Sequence, residues 1–335
     1  MSIETFGHLS DGTAIEAVRL SNGGLSARLL GWGAVLQELR LEGHEHSLVL
    51  GLPDLDAYLA YSKYFGATAG RCANRIAGGR ATIDGREHRL DRNFLGKHTL
   101  HGGSEGTGRL PWRIAAHDER SARLEIELAD GHMGFPGRLA ASALFTLTDD
   151  GALDIVYRAE TDRPTLCNLA HHSYFVLDDS GDVLDHELQV RAERYLPVDD
   201  ELIPTGEIAP VEGTAFDFRR PRALRDGRDG RPTLDHNFCL SPARSVRRAV
   251  ARLSSPRSGI ELEVSTTEPG LQVYDGALLD VPVAGLDGRR IGPCAGIALE
   301  PQVWPDSPHH PDFPQASLAP GETYRQHTRY AFRRT

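Results

Sequence analysis

Cysteine is scarce in this chain, and the four that occur, Cys72, Cys167, Cys239 and Cys294, lie far apart with no CxxC pair. This spacing argues against a disulfide framework and against a zinc site built from cysteines. Reduced thiols are the simple interpretation, and they are typical of cytoplasmic proteins. We therefore expect a cytoplasmic protein whose cysteines are unpaired.

Signals for secretion, membranes and nucleic acid are also missing. The first residues combine no basic segment with an apolar one, and no run approaches about 18 consecutive apolar residues. The net charge of −10 disfavours nucleic acid and anionic membranes as partners. The densest basic run, 219–231, is interleaved with Asp226 and Asp229, and we expect it to be a solvated loop.

Long segments with the 3.6-residue period of an amphipathic helix are absent too. Instead, apolar and charged residues alternate with a period of two in 123–128, 153–158 and 260–264. This alternation is typical of half-buried antiparallel strands. Asp-Gly and Asn-Gly pairs recur between such segments and favour tight turns. The only helix we expect is short, with Asp54 as its N-cap and Leu59 near its end.

These patterns predict an all-β protein built as a large antiparallel β-sandwich with few short helices. No linker and no repeat divides the chain, so residues 1–335 are expected to form a single domain. Two packed sheets of this kind leave a concave face that can hold a small ligand.

Two titratable side chains stand among apolar and aromatic neighbours in widely separated segments. His172 belongs to the segment 168–175, and Glu300 ends the apolar stretch 296–300. An imidazole and a carboxylate that face each other across a pocket form a general acid/base pair. Apolar walls would move their pKa values toward each other and toward neutral pH. For Glu300 a surface strand end is the alternative, and nearby Trp304 is a candidate pocket wall.

Other polar residues suit the recognition of sugar hydroxyls or of a carboxylate. Asn74 both donates and accepts, and Arg75 offers a rigid fork of donors directly after a glycine-rich segment. Asp235 precedes a strand-like segment, where its carboxylate can accept hydrogen bonds from two adjacent hydroxyls. Each has an ordinary alternative, namely surface arginines beside a glycine turn and an aspartate in a turn.

The remaining candidates are several histidines and two polar residues on one predicted strand. His101 precedes two glycines at a sharp turn, although an ordinary loop histidine fits as well. Gln272 and Tyr274 share one side of a strand and can combine an amide contact with an aromatic platform. The histidine pairs at 171–172 and 309–310 suggest a metal, but adjacent strand residues point to opposite faces and no HxH or HxxxH spacing supplies a second ligand. No metal is expected.

Taken together and in order, these segments resemble the aldose 1-epimerase (mutarotase) family. The resemblance is carried by GRCANRI at 70–76, LHGG at 100–103, HSYF at 172–175, LDHNF at 234–238, GLQVY at 270–274, LEPQVWP at 299–305 and LAPGETY at 318–324. It implies an antiparallel β-sandwich that holds a free sugar in a shallow open cleft. It also implies an enzyme without metal or organic cofactor, whose partner is a small-molecule sugar.

By the family's pattern, His172 is the general acid and Glu300 the general base that interconvert α and β anomers by opening and closing the sugar ring. The positions that match residues holding or orienting the sugar are Asn74, Arg75, His101, Asp235 and Gln272. His101 is also a candidate to assist at the ring oxygen. The chain departs from the common pattern at His171, where Asn or Gln is frequent, and at Val176, where Asn is frequent.

Three other functions remain open from the sequence. A glycoside hydrolase needs two carboxylates, for which Asp235 and Glu300 are available, but His172 would then lack a role. A non-catalytic carbohydrate-binding module needs no acid/base pair. A hexose-phosphate 1-epimerase requires more positive charge than Arg71 and Arg75 supply. The sequence does not rank the aldoses as substrates, and it leaves both a monomer and a homodimer open.

Overall fold

The computed structural model describes residues 3–225 and 234–334. The second half of the basic run 219–231, including Asp226 and Asp229, therefore lies outside the described residues. No helix within the described ranges is long and apolar enough to cross a membrane.

Strands dominate the described residues and are numbered β1 to β27 in chain order. Their bounds are Glu4–His8, Ala14–Asn22, Leu25–Leu30, Val35–Leu41, Thr68–Ala69, Arg75–Ile76, Arg80–Ile83, Arg86–Arg89, Thr99–Leu100, Arg113–His117, Ser121–Leu128, Leu139–Thr148, Ala152–Thr161, Thr165–Leu166, Ala170–His171, Tyr174–Phe175, Glu187–Val190, Arg194–Tyr195, Ala209–Pro210, Arg222–Ala223, Asp235–Cys239, Arg248–Ser255, Ile260–Thr266, Gly270–Tyr274, Ile297–Gln302, Ser317–Leu318 and Tyr324–Arg334.

Three large sheets form from these strands, and all their pairings are antiparallel. The largest has nine strands in the order β10-β11-β12-β13-β27-β23-β22-β17-β20. A second sheet has six strands in the order β16-β25-β24-β21-β18-β19, and a third comprises β1 to β4. The predicted antiparallel all-β architecture is therefore confirmed.

One main apolar core joins the three sheets. Phe175 of the six-stranded sheet packs against Tyr330 of the nine-stranded sheet, with 4.9 Å between ring centroids. The alternation predicted for 123–128 is confirmed, because alternate residues of β11 are buried. In 260–264 the alternation fails at Glu261, which is 3% exposed. Arg252 lies 3.0 Å from its carboxylate and Arg333 also contacts it, so this charge is buried with partners.

Helices are few and short in the described residues. The one α-helix, α1, spans Leu55–Tyr61, two residues beyond the predicted end. Its predicted N-cap is confirmed, because the side chain of Asp54 accepts a hydrogen bond from the backbone N–H of Ala57 at 2.8 Å. Single turns of 3₁₀ helix occur at Ala77–Gly79, Thr107–Arg109, His132–Gly134, Leu286–Gly288 and Ser307–His309.

Candidate active site

His172 lies in the short gap between β15 and β16, where the backbone is held on both sides. Its N–H donates to the carbonyl of Ala67 at 2.9 Å, and its carbonyl accepts from the N–H of Gly66 at 3.1 Å. The neighbouring side chain of His171 points the other way and packs between the rings of Phe145 and Tyr330. As expected for adjacent residues in extended backbone, only one of the two histidines faces the cleft.

Glu300 projects from β25, which is an interior strand of the six-stranded sheet. The register places it directly opposite Gln272 on β24. Two side chains of β27, in the nine-stranded sheet, hold the backbone on either side of Glu300. Gln326 donates to the carbonyl of Pro301 at 2.7 Å, and Tyr330 donates to the carbonyl of Leu299 at 3.1 Å. Glu300 is 2% exposed, so it is not a surface strand end.

The side chains of His172 and Glu300 face each other, with 3.6 Å between Nε2 and Oε2. Burial lowers the pKa of His172 to about 4, and the charge of Arg75 adds to this decrease. Burial also raises the pKa of Glu300 well above its ordinary value, and the charge of Asp235 adds to the increase. Desolvation disfavours both charged forms, so the pKa of Glu300 rises as predicted, whereas the predicted shift of the His172 pKa toward neutral pH is wrong, because burial takes it down to about 4. Burial therefore favours the neutral pair, with the imidazole of His172 uncharged and the carboxyl group of Glu300 protonated.

His101 lies beside this pair, with 5.2 Å between its ring centroid and that of His172. Burial holds the pKa of His101 well below its usual value, and the charge of His172 adds to the decrease. Its Nδ1 accepts a hydrogen bond from the backbone N–H of Asn74 at 3.1 Å. A neutral imidazole that accepts at Nδ1 carries its proton on Nε2. His101 therefore presents an N–H donor.

A chain of polar side chains forms the wall beside Glu300. Arg75 donates from Nη2 to Oδ2 of Asp235 at 3.0 Å, and Gln272 donates from Nε2 to Oδ1 of the same carboxylate at 2.5 Å. The side-chain oxygen of Asn74 accepts a hydrogen bond from the backbone N–H of Arg75 at 2.9 Å, which fixes the side chain of Asn74 beside the arginine. This wall is pre-organised, since each side chain is oriented by another.

These residues surround an open cavity of about 750 Å³. Its lining includes Asn74, Arg75, His101, His172, Asp235 and Glu300. This volume is within the range of small-molecule sites. Of the seven residues predicted from the sequence, only Gln272 does not line the cavity, and it reaches the site through Asp235.

The structure adds cleft residues that no sequence pattern indicates. The ring of Tyr64 is tilted by 58° against that of His101, with 4.5 Å between the centroids, and the ring of Phe94 lies 4.8 Å from the guanidinium of Arg75. Arg109 also lines the cavity and lies over the ring of Tyr64 at 5.3 Å. All three belong to loops or to a single 3₁₀ turn, where no periodic pattern indicates which side chains face a site. Tyr274, predicted as an aromatic platform, does line the cavity.

Two expectations are wrong. Trp304 does not wall the cavity but packs against Phe313, because its indole N–H donates to the carbonyl of Pro269 at 2.8 Å. Arg71 is 1% exposed and brings no charge to the cleft. Its guanidinium donates instead to the carbonyls of the 136–137 segment at 3.0 and 2.8 Å.

The ligand atoms of His101, His172 and Glu300 lie within 4.8 Å of one another, a grouping that metals can use. The hydrogen bond from Asn74 argues against this use, because it leaves the Nε2 atom of His101 protonated and unable to donate a lone pair. The second histidine pair serves another role. His309 lies 2.6 Å and His310 3.5 Å from the buried carboxylate of Asp306, and the hydrogen bond raises the pKa of His309.

The fold and the cleft together define a class: a large antiparallel β-sandwich with a buried imidazole–carboxylate pair in an open polar cavity. Comparison with known proteins identifies the family within this class. The family model described as aldose 1-epimerase matches residues 16–331. The chain belongs to the aldose 1-epimerase family.

Relatives in this family match over nearly the whole chain. Galactose mutarotase of Rattus norvegicus is 41% identical over 337 residues, which cover 98% of this chain and 97% of the relative. Aldose 1-epimerase of Escherichia coli K12 is 37% identical over 93% of each chain. Among solved structures, an aldose epimerase homologue from C. elegans has a TM-score of 0.90 at 32% identity, covering 95% of this chain and 99% of its own.

Proposed function

We propose that this cleft interconverts the α and β anomers of free aldoses such as glucose or galactose, with His172 as general acid and Glu300 as general base. The chain is a carbohydrate isomerase by its family. The observation that carries the residue roles is the 3.6 Å approach of the two buried side chains. Geometry of this kind lets one group take a proton while the other gives one.

Ring opening begins with the cyclic sugar between the two groups. Glu300, as carboxylate, takes the proton of the C1 hydroxyl, while His172, as imidazolium, gives its proton to the ring oxygen. The C1–O5 bond breaks and leaves an aldehyde at C1. Rotation about the C1–C2 bond presents the other face of the carbonyl. Ring closure then runs the same proton transfers in reverse and produces the other anomer.

The electrostatics of the site support this cycle. The cyclic sugar requires the charged pair, imidazolium and carboxylate, whereas the open chain leaves neutral His172 and protonated Glu300. Burial favours neutral His172 and protonated Glu300, because it lowers the pKa of the imidazole and raises that of the carboxyl group. The protein thus favours the proton arrangement that belongs to the open-chain form, which is the less stable form of the sugar. The two groups titrate as a coupled pair.

The remaining polar residues are proposed to hold the sugar while C1 turns. Asp235 is fixed by Arg75 and Gln272 and can accept from adjacent hydroxyls beside Glu300. The ring of His101 lies 5.2 Å from that of His172, and its Nε2–H is proposed to donate to the ring oxygen of the sugar. Holding the ring in place supplies the orientation that the reaction requires.

The first test is the optical rotation of freshly dissolved α-D-glucose and α-D-galactose, with and without the protein. Faster relaxation to the same final rotation is expected, because an enzyme changes the rate and not the equilibrium. Absence of acceleration with both sugars, from folded protein, would contradict the proposal and favour a carbohydrate-binding module. Release of reducing sugar from an aryl glycoside would instead indicate a glycoside hydrolase.

Three associated expectations stay predictions. A cytoplasmic location is to be tested by cell fractionation, and a monomer or homodimer by sedimentation. Absence of binding to nucleic acid and to membranes, expected from the net charge of −10, is to be tested with labelled oligonucleotides and anionic vesicles.

A further inference from the structure

Two cationic side chains of the cavity have no carboxylate partner among the described residues. Lys63 and Arg109 both line the cavity, and both are exposed to it rather than buried in the fold. Arg75, the other cation of the lining, is already engaged by Asp235 at 3.0 Å. The positive charge of Arg75 is thus neutralised by Asp235, whereas those of Lys63 and Arg109 are available to a ligand in the cavity. None of the residues proposed for the proton transfers uses the two available charges.

The available charges lie at the histidine end of the cleft. Arg109 lies over Tyr64, whose ring is 4.5 Å from that of His101 and 5.7 Å from that of His172. Lys63 directly precedes Tyr64, and its carbonyl accepts from the hydroxyl of Tyr174, another ring beside His172. Segment 63–64 and Arg109 therefore form one corner of the cavity next to both histidines.

Two acidic residues of the lining, Asp200 and Glu201, belong to another wall. Glu201 is held by Lys97 at 2.5 Å and by His98 at 3.2 Å. Segment 94–98, which carries these partners, packs on Arg75 through the ring of Phe94. The acidic segment 200–201 is thereby tied to the Arg75 side of the cleft. Asp200 and Glu201 thus lie on the Arg75 side of the cavity, whereas Lys63 and Arg109 lie beside the histidines.

The mechanism orients the sugar with respect to this corner. His172 protonates the ring oxygen, and Glu300 acts at C1, which lies beside the wall formed by Asp235 and Gln272. The ring atom on the other side of the ring oxygen is C5, and C5 carries C6. The C6 substituent therefore points past the histidines, toward Tyr64, Lys63 and Arg109.

We infer that the cleft accepts hexuronates, aldoses with a carboxylate at C6, and that Arg109 and Lys63 bind that carboxylate. This inference rests on the proposed function, because it uses the sugar orientation that the mechanism defines. The planar fork of an arginine matches a carboxylate with two parallel hydrogen bonds, and a lysine adds a point charge. The anomeric carbon of a hexuronate is free, so the same proton transfers apply to it.

The test compares mutarotation of galacturonate and galactose by the same protein. The quantity measured is the ratio of kcat/KM for galacturonate to kcat/KM for galactose. In Arg109→Gln this ratio is expected to fall about tenfold or more, because a charge-assisted hydrogen bond is lost. Lys63→Gln is expected to lower it less. The matched control is Arg120→Gln, an exposed arginine in the turn between β10 and β11, which should leave the ratio unchanged.

Ionic strength and a second anion sharpen the result. Added salt should raise KM for galacturonate and leave KM for galactose nearly unchanged, since only the former depends on an exposed charge pair. Galactose 6-phosphate is the comparison arm: acceleration of this sugar without acceleration of galacturonate would overturn the carboxylate assignment. The same holds for an unchanged ratio in Arg109→Gln when galactose is still converted. Failure with galactose itself would instead overturn the proposed function.

Discussion

At the scale of single residues, the site depends on two titratable side chains that are largely buried at the wall of the cavity. Glu300 and His172 are 2% and 4% exposed, and each is forced toward its neutral form by burial. A buried carboxylate without a full set of partners is costly and is typical of a functional group. The backbone contacts from Gln326 and Tyr330 explain how the fold keeps this carboxylate in place.

Replacing Glu300 by Gln tests the general base. The amide has the same shape but cannot take a proton, so kcat/KM for glucose and galactose should fall by about 10²–10⁴. The melting temperature should not fall, because the amide has nearly the same volume as the carboxyl group and leaves no cavity. Glu127→Gln, at an exposed position of the nine-stranded sheet, is the matched control. Near-wild-type turnover in Glu300→Gln would refute the assignment.

The pH dependence of kcat/KM tests the pair as a unit. The reaction requires the pair to share one proton, so activity should decline when both groups are protonated at low pH and when both are deprotonated at high pH. Because the pKa of His172 is lowered to about 4 and that of Glu300 is raised, a bell-shaped profile is expected. A profile that is flat from roughly pH 4 to pH 9 would contradict the pair.

His171 provides a test of stability against pH. Burial lowers the pKa of its folded-state imidazole to about 3, whereas the unfolded value is near 6.5. Between these values the unfolded chain binds a proton that the folded chain does not, so acid lowers the free energy of unfolding. His171→Gln removes this effect. From pH 7 to pH 5 the wild type should lose on the order of 1–2 kcal/mol more than the variant in denaturant titrations. Equal losses would contradict a buried neutral imidazole.

At the scale of elements, tight glycine turns bring the loops of the cleft together. Gly102 follows His101 and has φ +86°. A Cβ at Gly102 would lie 2.0 Å from the carbonyl oxygen of Gly70. The glycine therefore lets the loop of His101 approach the glycine-rich segment that leads to Asn74 and Arg75. This close contact is the physical reason for the glycine directly after His101.

Gly102→Ala and Gly12→Ala separate backbone strain from steric overlap. Both glycines have φ +86°, but a Cβ at Gly12 would meet nothing within 4 Å. Gly12→Ala should cost about 1 kcal/mol, the strain of a left-handed conformation. Gly102→Ala adds the overlap and should cost more than about 3 kcal/mol, with loss of activity. Calorimetry of both variants checks this, and equal costs would contradict the predicted contact.

At the scale of the whole molecule, the catalytic pair requires both large sheets. Glu300 lies on the six-stranded sheet, yet the backbone around it is held by β27 of the nine-stranded sheet. The main apolar core also crosses all three sheets. We propose that residues 1–335 form a single domain, because neither sheet covers its apolar face without the other.

A single domain predicts one cooperative thermal transition. Calorimetric and van't Hoff enthalpies should agree, and activity should be lost in the same transition. Galactose should raise the melting temperature of the whole transition, since it binds only the folded state. Two separable transitions, or a proteolytic fragment that retains structure, would contradict one domain. Glu127→Gln again serves as the control, because its exposed side chain should leave the transition unchanged.

The β class, the N-cap at Asp54 and the candidate residues of the site could all be predicted from the amino-acid sequence. These follow from local causes, such as the period of two on a sheet and the capping of free amides. The site residues were identifiable because several segments matched one family in order. The end of α1 and the burial of Glu261 could not be predicted from the sequence, since both depend on contacts made elsewhere in the chain.

Which side chains meet in the site follows from the folded structure alone. The 3.6 Å approach of His172 to Glu300, the support of Asp235 by Gln272 and the position of Arg109 all join residues that are distant in sequence. The position of Trp304 could not be predicted from the sequence for the same reason. Its hydrogen bond to the carbonyl of Pro269 turns the indole away from the cavity that it was expected to line. Strand register and loop packing determine such contacts, and neither leaves a local signal in the sequence.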